Sequence, residues 1–233
     1  MFFRAAEARS DIKVVSFDVD GTLVSPGFVD CVWLEGIPLL YAEKENLNFE
    51  QAFEYVKSEY DKIGEHRIEW YNIEYWLRRF GLVISYETLF KKYEAELQIY
   101  EEVERVLAVL KEDGYELILS SNAATEFIEF QIKPIKKFFS RVFSATSDFG
   151  QVKKTNGFFA RVCEILDVKP QAVVHIGDHW VFDFINPRKI GITAYYLDRA
   201  RETNEGKNNE DAKKEDDKFI ISDLTVLLDD PDC

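Results

Sequence analysis

The sequence predicts an α/β protein, a doubly wound parallel sheet with a block of helices inserted after the first strand. Three observations carry this. A short β-branched apolar run, Val14 to Phe17, ends in two acids, Asp18 and Asp20, as a strand buried on both faces does at its carboxyl end. From about residue 100 onward, strand-length apolar runs alternate with helical patterns, which is the signature of parallel strands joined by helical crossovers. Between the two, residues 36–98 are rich in helix formers and carry large aromatics at helical spacing.

Taken in order, residues 1–11 read as a ragged lead-in and 12–18 as the first strand. Ser25, Pro26 and Gly27 are turn residues, so 25–35 is expected to leave the strand without an immediate long helix. Asn48 with Gln51 resembles a capping box, and Phe49, Phe53, Val56, Tyr60 and Ile63 then form one stripe up to Gly64. A second helix is expected over 65–80, with Ile73, Trp76, Leu77 and Phe80 inward and Gly81 beyond its end. Ser85 caps a third, with Leu89, Phe90, Tyr93 and Leu97 as its apolar face.

The α/β pattern then predicts a helix over 101–113 and a strand over 115–120. A helix over 124–131, a short one over 135–139 and a strand over 141–144 follow. Thr155 or Asn156 opens a helix reaching Leu166, and 172–176 is a strand. A helix over 180–186 and a strand over 192–197 complete the pattern. Residues 199–218 are polar without periodicity and read as a mobile surface loop with solvent-facing acids. Residues 219–228 are apolar enough to dock on the core, and 229–233 are expected to fray.

Composition excludes several classes. The chain has 233 residues, 46% of them hydrophobic, enough for a sizeable core. Its formal net charge of −14 argues against a nucleic-acid surface and against anionic membranes. Anionic small substrates stay open, because a local metal or lysine overrides the global field. The three cysteines, Cys31, Cys163 and Cys233, show no metal spacing or disulfide framework. With no secretory h-region and no bilayer-length apolar run, a reducing cytoplasm is the expected location. Cys163 is expected to fill core.

Strand ends carry the chemistry. In parallel sheets ligands bind beyond the carboxyl ends of the strands. Asp18 and Asp20 lie at the first such end, Ser121 and Asn122 at the second, and Asp178 with Asp183 at a third, while Lys153 and Lys154 precede a helix. Side chains alternate along an extended strand, so Asp18 and Asp20 can face the same way. Like charges held together are costly unless a cation or proton intervenes. Clustered carboxylates suit a hard cation such as Mg²⁺. A carboxylate nucleophile, a hydroxyl and a lysine beside that cation suit phosphoryl transfer.

Asp18-Val-Asp20-Gly21-Thr22, then Ser121-Asn122, then a lysine of the 153–154 pair, then Gly177-Asp178 with Asp183, resemble the four motifs of the haloacid dehalogenase superfamily, in order and over residues 12–197. The helical block lies where members with a helical C1 cap carry it. The resemblance implies a Rossmann-like core over 1–24 and 99–233, a cap over 25–98, and hinges near 24–28 and 97–100. It implies Asp18 as nucleophile and Asp20 as proton donor, then base. Mg²⁺ would be held by the Asp18 carboxylate, the Asp20 carbonyl, Asp178 and Asp183. Thr22, Ser121, Asn122 and Lys154 would bind the phosphoryl group. Family members often follow the lysine with Pro-x-Pro. Thr155-Asn156-Gly157 stands here, so Lys153 remains the alternative.

In isolation each of these residues has a plainer reading: turn residue, helix cap or solvated pair. His66 and His175 have no partner at ligand spacing and are expected to be structural, and His179 and Trp180 to pack locally. The leading function is a Mg²⁺-dependent phosphatase of a small phosphorylated metabolite, without nucleic-acid or membrane partners. A metal-independent 2-haloacid dehalogenase needs neither Asp20 nor the Asp178–Asp183 pair. A non-catalytic phospho-ligand binding module would be expected to have lost an acid. Trp33, Trp70, Tyr71 and Trp76 are candidates to line the cleft, and the substrate is not legible.

Overall fold

The computed structural model describes residues 12–200 and 214–228. The expected lead-in at 1–11, the fraying tail at 229–233 with Cys233, and 201–213 of the polar stretch lie outside the described residues. Six parallel strands form one sheet in the order β3-β2-β1-β4-β5-β6. They are β1 (Val14–Phe17), β2 (Glu116–Ser121), β3 (Arg141–Ser144), β4 (Val173–Gly177), β5 (Thr193–Leu197) and β6 (Ile220–Ile221). β1 is central and every one of its residues is buried. Val14 pairs with Glu116 on one side and with Val173 on the other. The chain runs outward from β1 in both directions, so the carboxyl ends of β1, β2 and β4 flank a topological switch point.

β6 falls in the stretch expected only to dock. Just before it, Lys214–Phe219 forms a 3₁₀ helix. There Asp216 is buried and accepts from Arg188 at 2.7 Å, so this acid does not face solvent as the polar composition predicted.

The chain leaves β1 differently from the expectation too. Helix α1 (Gly27–Asp30) starts at once, passes through a π-helical stretch at Cys31–Gly36 and continues as α2 (Ile37–Glu45). Pro26 sits at the N-cap, where a missing N–H costs nothing, so a residue read as a turn opens a helix. Helix α3 (Phe49–Ile63) begins where Asn48 accepts from the Gln51 N–H at 2.9 Å. The predicted 65–80 helix is divided. Asn72 is extended and caps α4 (Ile73–Arg79) by accepting from Tyr75 N–H at 2.8 Å, leaving only a 3₁₀ turn at Ile68–Tyr71 before it. Ser85 caps α5 (Tyr86–Lys92).

These helices bury a cluster of their own around Phe28, Val56, Tyr60, Ile73, Trp76, Phe80 and Phe90. Trp76 is wholly buried there, so it does not line the cleft as proposed from sequence. The sheet carries separate apolar clusters, one on β1, β2 and α6 (Val103–Glu112), the other on α9 (Asn156–Leu166), where Cys163 is buried. The two crossings between block and sheet run side by side. Ser25 N–H donates to Gln98 O (2.8 Å), Tyr100 N–H to Leu23 O (3.2 Å), and Val24 bridges Ile99. The remaining helices are α7 (Thr125–Gln131), α8 (Ala145–Phe149) and α10 (Asn186–Arg188), the last preceded by a π-helical Trp180–Ile185. Among the described residues, no helix is long and apolar enough to cross a membrane.

Candidate active site

Strand ends set the site. Asp18 follows the last residue of β1, Ser121 is the last of β2, and Asp178 follows the last of β4. Two glycines allow the close approach. Gly21 has φ +72°, and a Cβ there would overlap the Asp178 carboxyl; a Cβ on Gly177 would overlap Asp183. Asp18, Asp178 and Asp183 thereby bring one carboxylate oxygen each within 4.8 Å of one another.

Lys154 is 1% exposed and lies among these acids. Its ammonium donates to Asp18 Oδ1 and to Ser120 O (2.9 Å), and lies 2.5 Å from Asp183 Oδ1. The segment carrying it is pinned twice: Lys154 N–H donates to Asn122 Oδ1 at 2.6 Å, and Asn186 Nδ2 donates to Lys154 O at 2.8 Å. The adjacent Lys153 points elsewhere, to Glu65 at 2.9 Å. Thr155 caps α9 by accepting from Phe158 N–H, so the sequence that replaces Pro-x-Pro has a local structural job.

One lysine serves three acids unequally. Burial opposes the charge of Asp183, but Lys154 and His175 outweigh it and hold that carboxyl below the usual range. Asp18 is pushed well up by burial, against the pull of Lys154 and with the repulsion of Asp183 and Asp178. Asp178 is exposed at the cleft, but the protein crowded around its carboxyl, then the Asp183 charge, raises it to about 7. Burial disfavours the Lys154 charge as well, but Asp18 and Asp183 together raise its pKa. The cluster holds more negative charge than its lysine neutralises, and its donors are all oxygen. A hard divalent cation fits such a set.

Asp20 lies at the flap that follows β1, where it bridges Val24. Burial raises its carboxyl to about 6, and its Oδ1 has no hydrogen-bond partner. Thr22 Oγ1 is buried without one as well. Ser121 Oγ accepts from Ala123 N–H at 3.1 Å and faces the cleft.

Sequence reasoning missed the supports. His175 is no ordinary core histidine: Nε2 lies 2.9 Å from Asp183 Oδ1 and Nδ1 2.9 Å from Ser16 Oγ, and Ser16 donates to Ser120 Oγ. Burial keeps its pKa below the usual value. Asn186 was not singled out either. His175 stands 8 residues from Asp183 and Asn186 32 residues from the Lys154 carbonyl it holds, spacings that match no motif, so only the fold could reveal them. His179 does pack locally, its ring 3.9 Å from Phe182, with Nδ1 accepting from Val181 and Phe182 N–H. Its second neighbour, Trp180, packs on Phe184 and Tyr196.

All eight site candidates except Thr22 line one cleft of about 510 Å³, roofed by the helical block through Trp33, Tyr60, Trp70 and Tyr71. Trp33 stacks on Phe127 of α7 at 5.3 Å and meets Tyr60 edge-on. The acidic end is polar and the far end aromatic, the layout of a site that holds an anionic head and an apolar body.

The chain has known relatives. The family model of haloacid dehalogenase-like hydrolases matches residues 12–185. The chain is 27% identical over 173 residues to the GMP/IMP nucleotidase YrfG of Escherichia coli, covering 73% of this chain and 76% of that protein. Its fold is similar to the crystal structure of a HAD phosphatase from Thermococcus onnurineus (TM-score 0.77, 23% identity, 93% and 96% of the two chains). It is also similar to a 2-haloacid dehalogenase from Pseudomonas syringae (TM-score 0.62, 19% identity, 93% and 96%). Fold likeness thus spans two chemistries and does not choose between them. With the motifs on adjoining strand ends and the family match covering most of its length, the chain belongs to the haloacid dehalogenase-like hydrolases.

Proposed function

We propose that the chain is a Mg²⁺-dependent phosphomonoesterase acting on small phosphorylated metabolites, with residues 25–98 as a cap over a core made of 1–24 and 99–233. The observation that carries the reading is Asp20: a second carboxyl, half-buried with its Oδ1 shut off from solvent, with a pKa of about 6, beside the Asp18–Lys154 pair. A dehalogenase attacking carbon has no need of it, because halide leaves without a proton. A phosphomonoesterase needs it, because the leaving oxygen must be protonated.

Asp18 attacks phosphorus and forms an aspartyl-phosphate. Lys154 holds the nucleophile in place and offsets charge on the phosphoryl oxygens, which Ser121, the Asn122 N–H and Thr22 receive. Asp20 gives its proton to the leaving oxygen, then as carboxylate takes a proton from the water that cleaves the intermediate. Asp18, the Asp20 carbonyl and Asp178 would hold Mg²⁺, which supplies further charge neutralisation. Asp183 is already engaged with Lys154, His175 and the His179 N–H, so its support acts chiefly through the lysine.

The aromatic roof supports a flat leaving group, and the name of the E. coli relative supports nucleoside monophosphates as the class to test first. The test is phosphate release from nucleoside 5′-monophosphates and 4-nitrophenyl phosphate, with Mg²⁺ and with EDTA. Release that requires Mg²⁺ is expected. Inactivity on both substrate types with Mg²⁺, or chelator-insensitive halide release from a 2-chloro acid, sinks the reading.

A further inference from the structure

Arg199 stands two residues past the end of β5 and reaches to the place where the chain leaves β1. Its Nη2 donates to Thr22 O and to Glu102 Oε1, both at 2.7 Å, and its Nε donates to Gly21 O at 3.3 Å. The guanidinium carbon lies 3.6 Å from the centre of the Tyr100 ring. Asp198 N–H donates to Ile221 O at 2.8 Å, which fixes the backbone just before Arg199 against β6. An arginine suits this place because one planar fork meets two carbonyls and a carboxylate while its face covers an aromatic ring. The ion pair is not a surface one. Its two side chains are 19% and 13% exposed, so salt screens it little.

These partners are the core ends of both crossings. Gly21 and Thr22 belong to the turn that follows Asp20, closed by Gly21 N–H donating to Val24 O at 2.8 Å. Tyr100 ends the return crossing, and Glu102 stands at the N-cap of α6. One side chain from a third element therefore holds the outgoing and the returning chain to each other and to the sheet. Beyond these points the helical block has an apolar cluster of its own. Arg199 does not line the cleft, whereas Asp20 and Gly21 do. It therefore bears on the site through the turn alone. Gly21 is packed so closely on Asp178 that a Cβ would overlap its carboxyl, so a turn that shifts carries Asp20 with it and breaks that contact.

We propose that Arg199 is a positioning residue, clamping the Gly21–Thr22 turn to the return crossing so that Asp20 keeps its place beside Asp18 when the helical block moves. The inference rests on the phosphomonoesterase reading with 25–98 as a cap. Arg199 touches no reacting atom and exchanges no proton.

The test separates positioning from stability. R199M alone strands the Glu102 carboxylate, and that charge destabilises the fold whatever else Arg199 does. The R199M/E102Q double variant removes both charges, so its melting temperature is expected to return close to that of the wild type, while the two carbonyls stay unclamped. Its kcat on 4-nitrophenyl phosphate and on a nucleoside 5′-monophosphate is expected to stay at least about tenfold below wild type, as misplacement near a reacting centre costs. KM should change by less than about twofold, because no contact with substrate is lost. The Tyr100 amide, bonded to Leu23 O across the two crossings, should exchange its hydrogen faster in the double variant. R199K keeps the ion pair but lacks the fork; it should lie between on kcat, and it serves if the double variant does not regain stability. A kcat that recovers with the melting temperature, or a loss confined to KM, overturns the proposal and leaves the phosphomonoesterase reading intact. A wild type inactive on both substrates overturns that reading and this inference with it.

Discussion

The Lys154 ammonium donates to the Asp18 carboxylate from 136 residues further along the chain, with both groups removed from solvent. A buried pair of this kind is weak evidence of stability but becomes expensive when broken. Lys154→Met leaves Asp18 and Asp183 facing each other without a cation. The expected cost is about 3–5 kcal/mol of unfolding free energy, read by urea denaturation, together with loss of phosphatase activity. Wild-type stability in this variant would mean that the acids are not charged as described.

Removing an acid has the opposite sign. Asp18→Asn relieves repulsion with Asp178 and Asp183 while Lys154 keeps Asp183 as a partner. Activity is expected to disappear and the melting temperature in EDTA to rise. A melting temperature that falls would contradict the surplus-charge account of the cluster.

Protons and Mg²⁺ compete for that surplus. Asp20 and Asp178 have folded-state pKa values of about 6 and about 7, against an ordinary 3.8. Between pH 4 and 7 the fold therefore binds more protons than the unfolded chain, and these groups make stability fall as pH rises through that window. The Asp20 contribution is on the order of 3 kcal/mol. In EDTA, Asp178→Asn should flatten the slope of melting temperature against pH. Added Mg²⁺ should stabilise the wild type more at pH 7.5 than at pH 5, and equal stabilisation at both would count against competition.

Trp70 meets Tyr60 edge-on at the roof of the cleft. If a base packs against this wall, Trp70→Ala raises KM for a nucleoside 5′-monophosphate about tenfold, since stacking contributes about 1–3 kcal/mol per base. The kcat on 4-nitrophenyl phosphate should change little. An unchanged KM places the base elsewhere.

Lys153 and Glu65 form an ion pair that joins the loop before α9 to the helical block. Being largely exposed, it contributes less than about 1 kcal/mol to stability. Its reversal is more informative: Glu65→Lys sets two like charges between the helical block and the loop that ends in the active-site lysine, Lys154. The expected result is a lower kcat/KM at low ionic strength that recovers in about 0.5 M salt, because screening acts over a few ångströms there. A salt-independent loss would point to a packing defect instead.

Much of this architecture was legible in the sequence, for physical reasons that differ from element to element. Val14–Phe17 reads as a buried strand because a parallel strand needs apolar side chains on both faces, and Asp18, Ser121 and Asp178 are legible because they stand where such strands stop. Helix α3 was announced by its Asn48 cap. The failures are equally specific. Pro26 signals a turn or a helix start with equal right, and Asn72 splits a helix whose apolar spacing continues through it. Strand β6 has two residues, too few for any period. Asp216 is buried because Arg188 waits for it 28 residues earlier, and Asp183 owes its environment to His175 on β4, 8 residues before it. Pairings of that sort leave no mark in local sequence.

The central claim is that Asp18 attacks phosphorus while Asp20 handles the protons. The most direct test quenches the Asp20→Asn variant in acid during turnover of a phosphomonoester with Mg²⁺, and weighs its peptides. The account predicts one added phosphoryl group on the peptide carrying Asp18, absent in the Asp18→Asn, Asp20→Asn double variant. Substrate turnover with no adduct on that peptide, or wild-type activity in Asp18→Asn alone, would contradict it.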